Sequence, residues 1–161
     1  MKVGVTGHQD FASSEVQKWV EQEIRNNIAT RTIEVGFTCL ARGADQIFAE
    51  VLLQQHVPYT AIIASHDYEK TFPEGQRAKY RELLAQAQSV VKLDNQYATE
   101  EAFFSAGKEV VQLSDFIIAV WNGLPAKGLG GTADIVKYAF GHNKPVLHID
   151  TTSRTVTKIS P

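Results

Sequence analysis

The sequence predicts an α/β protein, a Rossmann-like three-layer sandwich around a mostly parallel sheet of about six strands. Three observations lead there. Short apolar runs alternate along the chain with longer stretches whose apolar residues recur at helical spacing, the pattern of repeated strand–helix–strand units. The run Ile117, Ile118, Ala119, Val120 is continuously apolar, as expected of a strand covered by helices on both faces. The chain has 161 residues, 43% hydrophobic and 21% charged, which is enough for one ordinary domain and too short for two full-sized ones. Residues 1–150 are expected to form a single Rossmann-like domain, with 151–161 as a C-terminal tail.

Residues 2–6 read as a short buried strand closed by Gly7. Ser13 and Ser14 can cap a helix whose Val16, Trp19, Val20 and Ile24 fall near a period of 3.6. Residues 32–40 are rich in β-branched and aromatic types and form the second strand, ending at Ala41-Arg42-Gly43. A helix over 44–55 places Ile47, Phe48, Val51 and Leu52 on one face, and 58–64 is the third strand. The segment 65–75, with Pro73 and mixed polar residues, is a loop of functional length. A helix over 76–88 leads to a fourth strand at 90–93. Thr99 caps the next helix, to 113, with Glu100 and Glu101 favourable in its first turn. Residues 115–121 form the central strand, 130–140 a helix, and 144–149 the sixth strand. The polar tail either frays or pairs at a sheet edge.

Composition excludes several function classes. No apolar stretch approaches the roughly 20 residues needed to cross a bilayer. The 16 Lys and Arg against 18 Asp and Glu give a net charge of −2, a poor footprint for nucleic acid, so a nucleic-acid partner is not expected. Cys39 is the one cysteine and cannot form an internal disulfide. The first residues lack the apolar core of a signal peptide, so a cytoplasmic setting is expected. Cys39 reads as a structural thiol, and Trp19, Phe48 and Phe103, on helix faces, read as core. The five histidines show no paired ligand spacing, so no metal and no cofactor are expected.

In sheets of this kind ligands bind beyond the carboxyl ends of the strands. Four loops lie there. Thr6-Gly7-His8-Gln9-Asp10 is either a tight turn with a solvated histidine or a place of close backbone approach to a ligand. Arg42, just before a helix, can grip a phosphate with guanidinium and helix amides together, while Asp45 in the first turn can cap the helix or touch a ligand. Ser65-His66-Asp67-Tyr68-Glu69 gathers several titratable groups. Trp121-Asn122-Gly123 is followed by Gly128-Leu129-Gly130-Gly131-Thr132 at a helix start, where glycines, free amides and a hydroxyl favour an anion. Neither the Walker ending Gly-Lys-Ser/Thr nor the dinucleotide fingerprint after the first strand is present.

Taken in order, Val3-Gly4-Val5-Thr6-Gly7-His8, Ala41-Arg42-Gly43-Ala44-Asp45, and Trp121-Asn122-Gly123 with Gly130-Gly131-Thr132-Ala133-Asp134 resemble the SLOG superfamily. That group takes in Smf/DprA-type DNA-processing proteins and the Lonely Guy, lysine-decarboxylase-like phosphoribohydrolases. The resemblance implies binding of a nucleotide or nucleotide-derived ligand, phosphate plus ribose, at this sheet edge. Gly7, His8, Arg42, Gly43, Asp45, Asn122, Gly123, Gly130, Gly131, Thr132 and Asp134 would form the site, in a sensor domain. An N-glycosidase is the alternative, with Asp134, Asp45, His8 and Glu69 as candidate catalytic groups, and a DprA-type module for single-stranded DNA is a weaker one. The phosphoribohydrolase motif Pro-Gly-Gly-x-Gly-Thr-x-x-Glu is incomplete: Ile135 stands where its glutamate would be, and Asp134, one residue earlier, is turned by roughly 100 degrees. A homodimer is expected because small domains of this class often pair through exposed helices.

Overall fold

The computed structural model describes all 161 residues. Seven strands, β1 (Lys2–Gly7), β2 (Val35–Thr38), β3 (Tyr59–Ile63), β4 (Ser89–Lys92), β5 (Phe116–Trp121), β6 (Val146–Asp150) and β7 (Thr155–Ile159), form one sheet. Its order is β4-β3-β2-β1-β5-β6-β7, and every pairing is parallel except β6 with β7. Helices α1 (Ser14–Ala29), α2 (Ala44–Gln54) and α3 (Glu74–Gln86) pack in succession on one face. Helices α4 (Glu100–Leu113) and α5 (Thr132–Gly141) pack on each other against the opposite face. The sandwich is therefore Rossmann-like and three-layered. No helix is long and apolar enough to cross a membrane.

Local chemistry explains the elements. The Ser13 hydroxyl accepts from the Val16 amide at 3.2 Å and starts α1, whose Val16, Val20, Ile24 and Ile28 recur every fourth residue and are buried. Thr99 caps α4 in the same way through the Ala102 amide at 3.1 Å. In β5, Ile117 to Val120 are wholly buried, as their unbroken apolarity requires.

Two segments differ from the sequence expectation. The second strand stops at Thr38, because the Thr38 hydroxyl accepts from the Leu40 amide and Leu40 takes a left-handed φ of 56°, which ends the extended run. The sheet has seven strands rather than about six. The tail pairs instead of fraying: Asp150 Oδ1 accepts from the Thr152 and Ser153 amides, turns the chain back, and lays β7 antiparallel on β6.

The topology creates one special place. From β1 the chain winds outward through β2, β3 and β4, then returns to place β5 on the other side of β1. The loops after β1 and β5 therefore leave in opposite directions and part between them, and a crevice opens at that switch point.

Candidate functional site

A cleft of about 750 Å³ occupies the switch point, bounded by the ends of β1, β2, β3 and β5, the start of α4 and the loop from Asn122 to Gly131. That is an ordinary volume for a small-molecule site. The backbone at its centre is tightly specified. A Cβ on Gly7 would stand 2.7 Å from both the Val120 carbonyl oxygen and the Ala44 side chain, so only glycine lets β1, β5 and α2 meet there.

His8 acts as a strut. Its own amide donates to the Val120 carbonyl at 3.0 Å, its carbonyl accepts from the Ala44 amide at 3.0 Å, and its ring Nε2 accepts from the Asn122 amide at 3.1 Å. The ring is therefore protonated on Nδ1, and it ties the loop after β1 to the loop after β5. The latter loop is braced further. Asn122 Oδ1 accepts from the Leu124 amide, Trp121 Nε1 donates to the Leu124 carbonyl, and Gly123 supplies a φ of 81°. His8→Ala is expected to lower stability by about 1 kcal/mol, the usual net value of one hydrogen bond. It should also raise amide exchange at Asn122 and Leu124; unchanged protection there would show that the ring does not hold the loop.

The glycine-rich turn before α5 divides its amides between two tasks. The Gly130 amide donates to Asp134 Oδ2 at 3.0 Å and is committed within the protein. Those of Gly131, Thr132 and Ala133 have no partner in the protein, and all three residues line the cleft. Asp134, whose amide donates to the Gly131 carbonyl, braces this turn and is not part of the lining.

Two cationic side chains, Arg42 and Lys127, line the cleft, and Asp45 is its one acidic residue. Arg42 is held loosely, 3.3 Å from Asp10 and 3.4 Å from Gln9, both on exposed side chains. Asp45 sits in the first turn of α2 and is buried. Burial pushes its carboxyl up to about 7, against the pull of the Ala41 and Cys39 amides. Cys39 and Tyr68 stand near it in the lining. Burial and then the Asp45 charge raise the Cys39 thiol well above its usual range, and burial does the same to the Tyr68 phenol, reinforced by Cys39 and Asp45. A thiol so raised is not a thiolate nucleophile near neutrality.

The structure thus gathers Gly7, His8, Arg42, Asp45, Asn122, Gly130, Gly131 and Thr132 around one space. Gly43 lies just behind it, packed on the backbone of His8 and Gln9, and Gly123 turns on its outer side. Glu69 is not brought to the site. Its carboxylate takes both nitrogens of an Arg81 fork at 2.7 and 2.9 Å, which holds it below the usual carboxylate range.

The sequence reading missed the aromatic wall. Phe103 is 38% exposed and lines the cleft with Tyr68 and Phe72, so its assignment to the core is corrected, whereas Phe48 is wholly buried as expected. The signal was present in α4, where Ala102, Ala106 and Val110 already supply the inward stripe and leave Phe103 beside it.

No protein-family model matches the chain, and no curated protein sequence matches it. Solved structures do. The chain is similar to DNA processing protein A from Helicobacter pylori, described for its binding of single-stranded DNA, with a TM-score of 0.68 and 19% identity over 92% of this chain. It is also similar to DNA processing protein A from Streptococcus pneumoniae (TM-score 0.62, 19% identity over 91%) and to the structural-genomics target TM1055 (0.58, 15% over 90%). It spans 64% of the Helicobacter chain, 49% of the Streptococcus chain and 71% of TM1055. The chain shares its fold with these two DNA processing proteins and with TM1055.

Proposed function

We propose that this chain binds a nucleotide or nucleotide-derived ligand, carrying phosphate and ribose, in the cleft at the switch point, and that it serves as a sensor domain. The observation that carries this reading is the set of unpartnered amides of Gly131, Thr132 and Ala133 in the same cleft as Arg42. Helix-start amides and a guanidinium together suit a phosphate, which takes directed hydrogen bonds and neutralising charge at once. Asp45 is the carboxylate left to meet ribose hydroxyls, since Asp134 braces the Gly130 turn and Glu69 pairs with Arg81.

A thermal-shift screen against mononucleotides, cyclic nucleotides and ADP-ribose tests the reading, because a ligand of the native state raises the melting temperature with concentration. Trp121, in the lining, offers fluorescence quenching as an independent readout. Arg42→Ala is expected to weaken any hit about 10- to 100-fold, the range for one charged hydrogen-bonding partner. Affinity unchanged by that variant would remove Arg42 from the phosphate site.

Two further readings each have one favouring observation. The buried Asp45, with its raised carboxyl, suits a general acid at an N-glycosidic bond, and chromatography of each hit for free base decides it. Two structural neighbours are DNA processing proteins, which favours a strand of DNA as the source of the phosphate. With Arg42 and Lys127 as the cations of the cleft, such binding would follow a shallow salt dependence, with a slope of about −1 to −2.

A further inference from the structure

The cleft has two chemically different sides. One is the polar rim already described, with Arg42 and the amides before α5. The other is aromatic, made of Tyr68, Phe72 and Phe103, whose rings pack on one another. Tyr68 and Phe72 are embedded, 4% and 5% exposed, and lock each other edge to face with centroids 5.4 Å apart. Phe72 also stacks on Tyr80, centroid to centroid 4.6 Å, which fixes this wall from behind.

Phe103 is different. It leaves 38% of its surface in the open. Its one aromatic contact is with Tyr68, 6.2 Å away and inclined by 68°. No ring stacks parallel on it, and a single inclined neighbour can meet at most one of its two faces, so at least one face is free of any aromatic neighbour. It stands on the first turns of α4, and the next residue, Phe104, packs against Gly130, where an added Cβ would come within 3.1 Å of it. That contact brings the aromatic wall to the same glycine turn that carries the free amides.

Resting on the nucleotide reading, we infer that Phe103 is the stacking platform for the ligand's heteroaromatic base, placed beside the phosphate-binding turn by the Phe104–Gly130 contact. A flat base suits this position for physical reasons. Base-on-aromatic stacking needs only a free ring face, and it is tolerant of base identity because every base presents a π-face. A ribose or an alkyl chain would gain less from a flat ring and would leave the edge-locked geometry of Tyr68 without purpose. The inference also restricts the ligand class: the base contributes to affinity, so sugar phosphates and inorganic phosphates are weak ligands.

The test compares AMP, GMP, CMP and UMP with ribose 5-phosphate, which differs from AMP by the base alone, in wild type, Phe103→Ala and Phe103→Trp. Calorimetry gives the affinities, and the melting temperature of each variant checks its folding. Phe103 is partly exposed, so the alanine variant is expected to fold. In wild type at least one of the mononucleotides should bind 10-fold or more tightly than ribose 5-phosphate. F103A should lower that mononucleotide's affinity about 5- to 100-fold and narrow the gap to ribose 5-phosphate, while F103W should restore it. Equal binding of mononucleotides and ribose 5-phosphate by wild type would overturn the platform and leave the phosphate site standing. So would nucleotide affinity that F103A does not change. Absence of binding by all five compounds, and by the cyclic nucleotides and ADP-ribose of the screen above, would instead remove the nucleotide reading, and the platform with it.

Discussion

Gly43→Ala is expected to destabilise the protein by about 2–6 kcal/mol and to abolish binding in the cleft. Gly43 has φ 79° and ψ −125°, backbone that is essentially reserved for glycine, and holding another residue there costs about 1–3 kcal/mol. Space makes the substitution worse. The new Cβ would collide with the carbonyl oxygen of His8 and stand 2.5 Å from that of Gln9. Both are backbone atoms at the end of β1, so relief requires the strand end to move, and overpacking of this kind adds about 1–3 kcal/mol. Gly123→Ala is the comparison. Its φ of 81° is nearly the same, but its Cβ would meet only the His148 ring, at 3.9 Å. That variant should lose about 1 kcal/mol, so Gly43→Ala is expected to be the more damaging of the two by the added steric clash. Urea denaturation of both proteins measures it, and equal midpoints would refute the account of Gly43. The functional loss follows from geometry, since the His8 carbonyl that would be displaced also receives the Ala44 amide and so positions α2 with Asp45.

The second large effect is on pH. The Asp45 carboxyl rises on folding from 3.8 to about 7, chiefly through burial, so between these values the native state holds a proton that the unfolded chain has released. Stability contributed by this group is complete below about pH 4 and is lost as pH rises through about 7, at roughly 1.4 kcal/mol per pH unit. Asp45→Asn removes the titration. The difference in unfolding free energy between wild type and D45N is therefore expected to shift by about 3 kcal/mol in favour of the variant between pH 5 and pH 8. Parallel profiles would show that Asp45 is not protonated near neutrality. The carboxyls of Glu34, Glu69 and Asp150 move downward on folding, so their effects lie below this window and carry the opposite sign. Binding should respond in the same direction. A phosphodiester ligand does not itself titrate here, and it should bind more tightly at pH 6 than at pH 8, because a neutral Asp45 leaves the cleft without its one anionic side chain.

Much of the candidate site is legible in the sequence. The loop residues after the first, second and fifth strands stand out because in a parallel sheet the strand ends all face one edge, and Gly7, His8, Arg42, Asp45, Asn122 and Thr132 line one cleft there. The capping of α1 by Ser13 and α4 by Thr99 was equally local, a matter of one hydroxyl and an amide three residues on. The one-residue offset of Asp134 was visible as well, and in the structure that carboxylate points to its own turn. What could not be read was competition between distant partners. Glu69 is withdrawn from the cleft by Arg81, twelve residues on in α3, and nothing in the spacing of Ser65 to Glu69 announces it.

The sequence by itself determined the order and type of the elements and the edge of the sheet where chemistry could gather. These depend on apolar period, capping residues and the parallel topology, and all three are written into short stretches of chain. Only the tertiary structure decided which side chains face the cleft. It turned Phe103 outward from a helix whose core stripe was already filled, brought Phe104 against Gly130, and buried Asp45 without a counter-charge among Cys39 and Tyr68. It also recruited the polar tail as β7, once Asp150 had turned the chain back onto β6. In each case the deciding quantity is the packing and solvation around a residue, set by segments far from it along the chain, and local pattern holds no record of that.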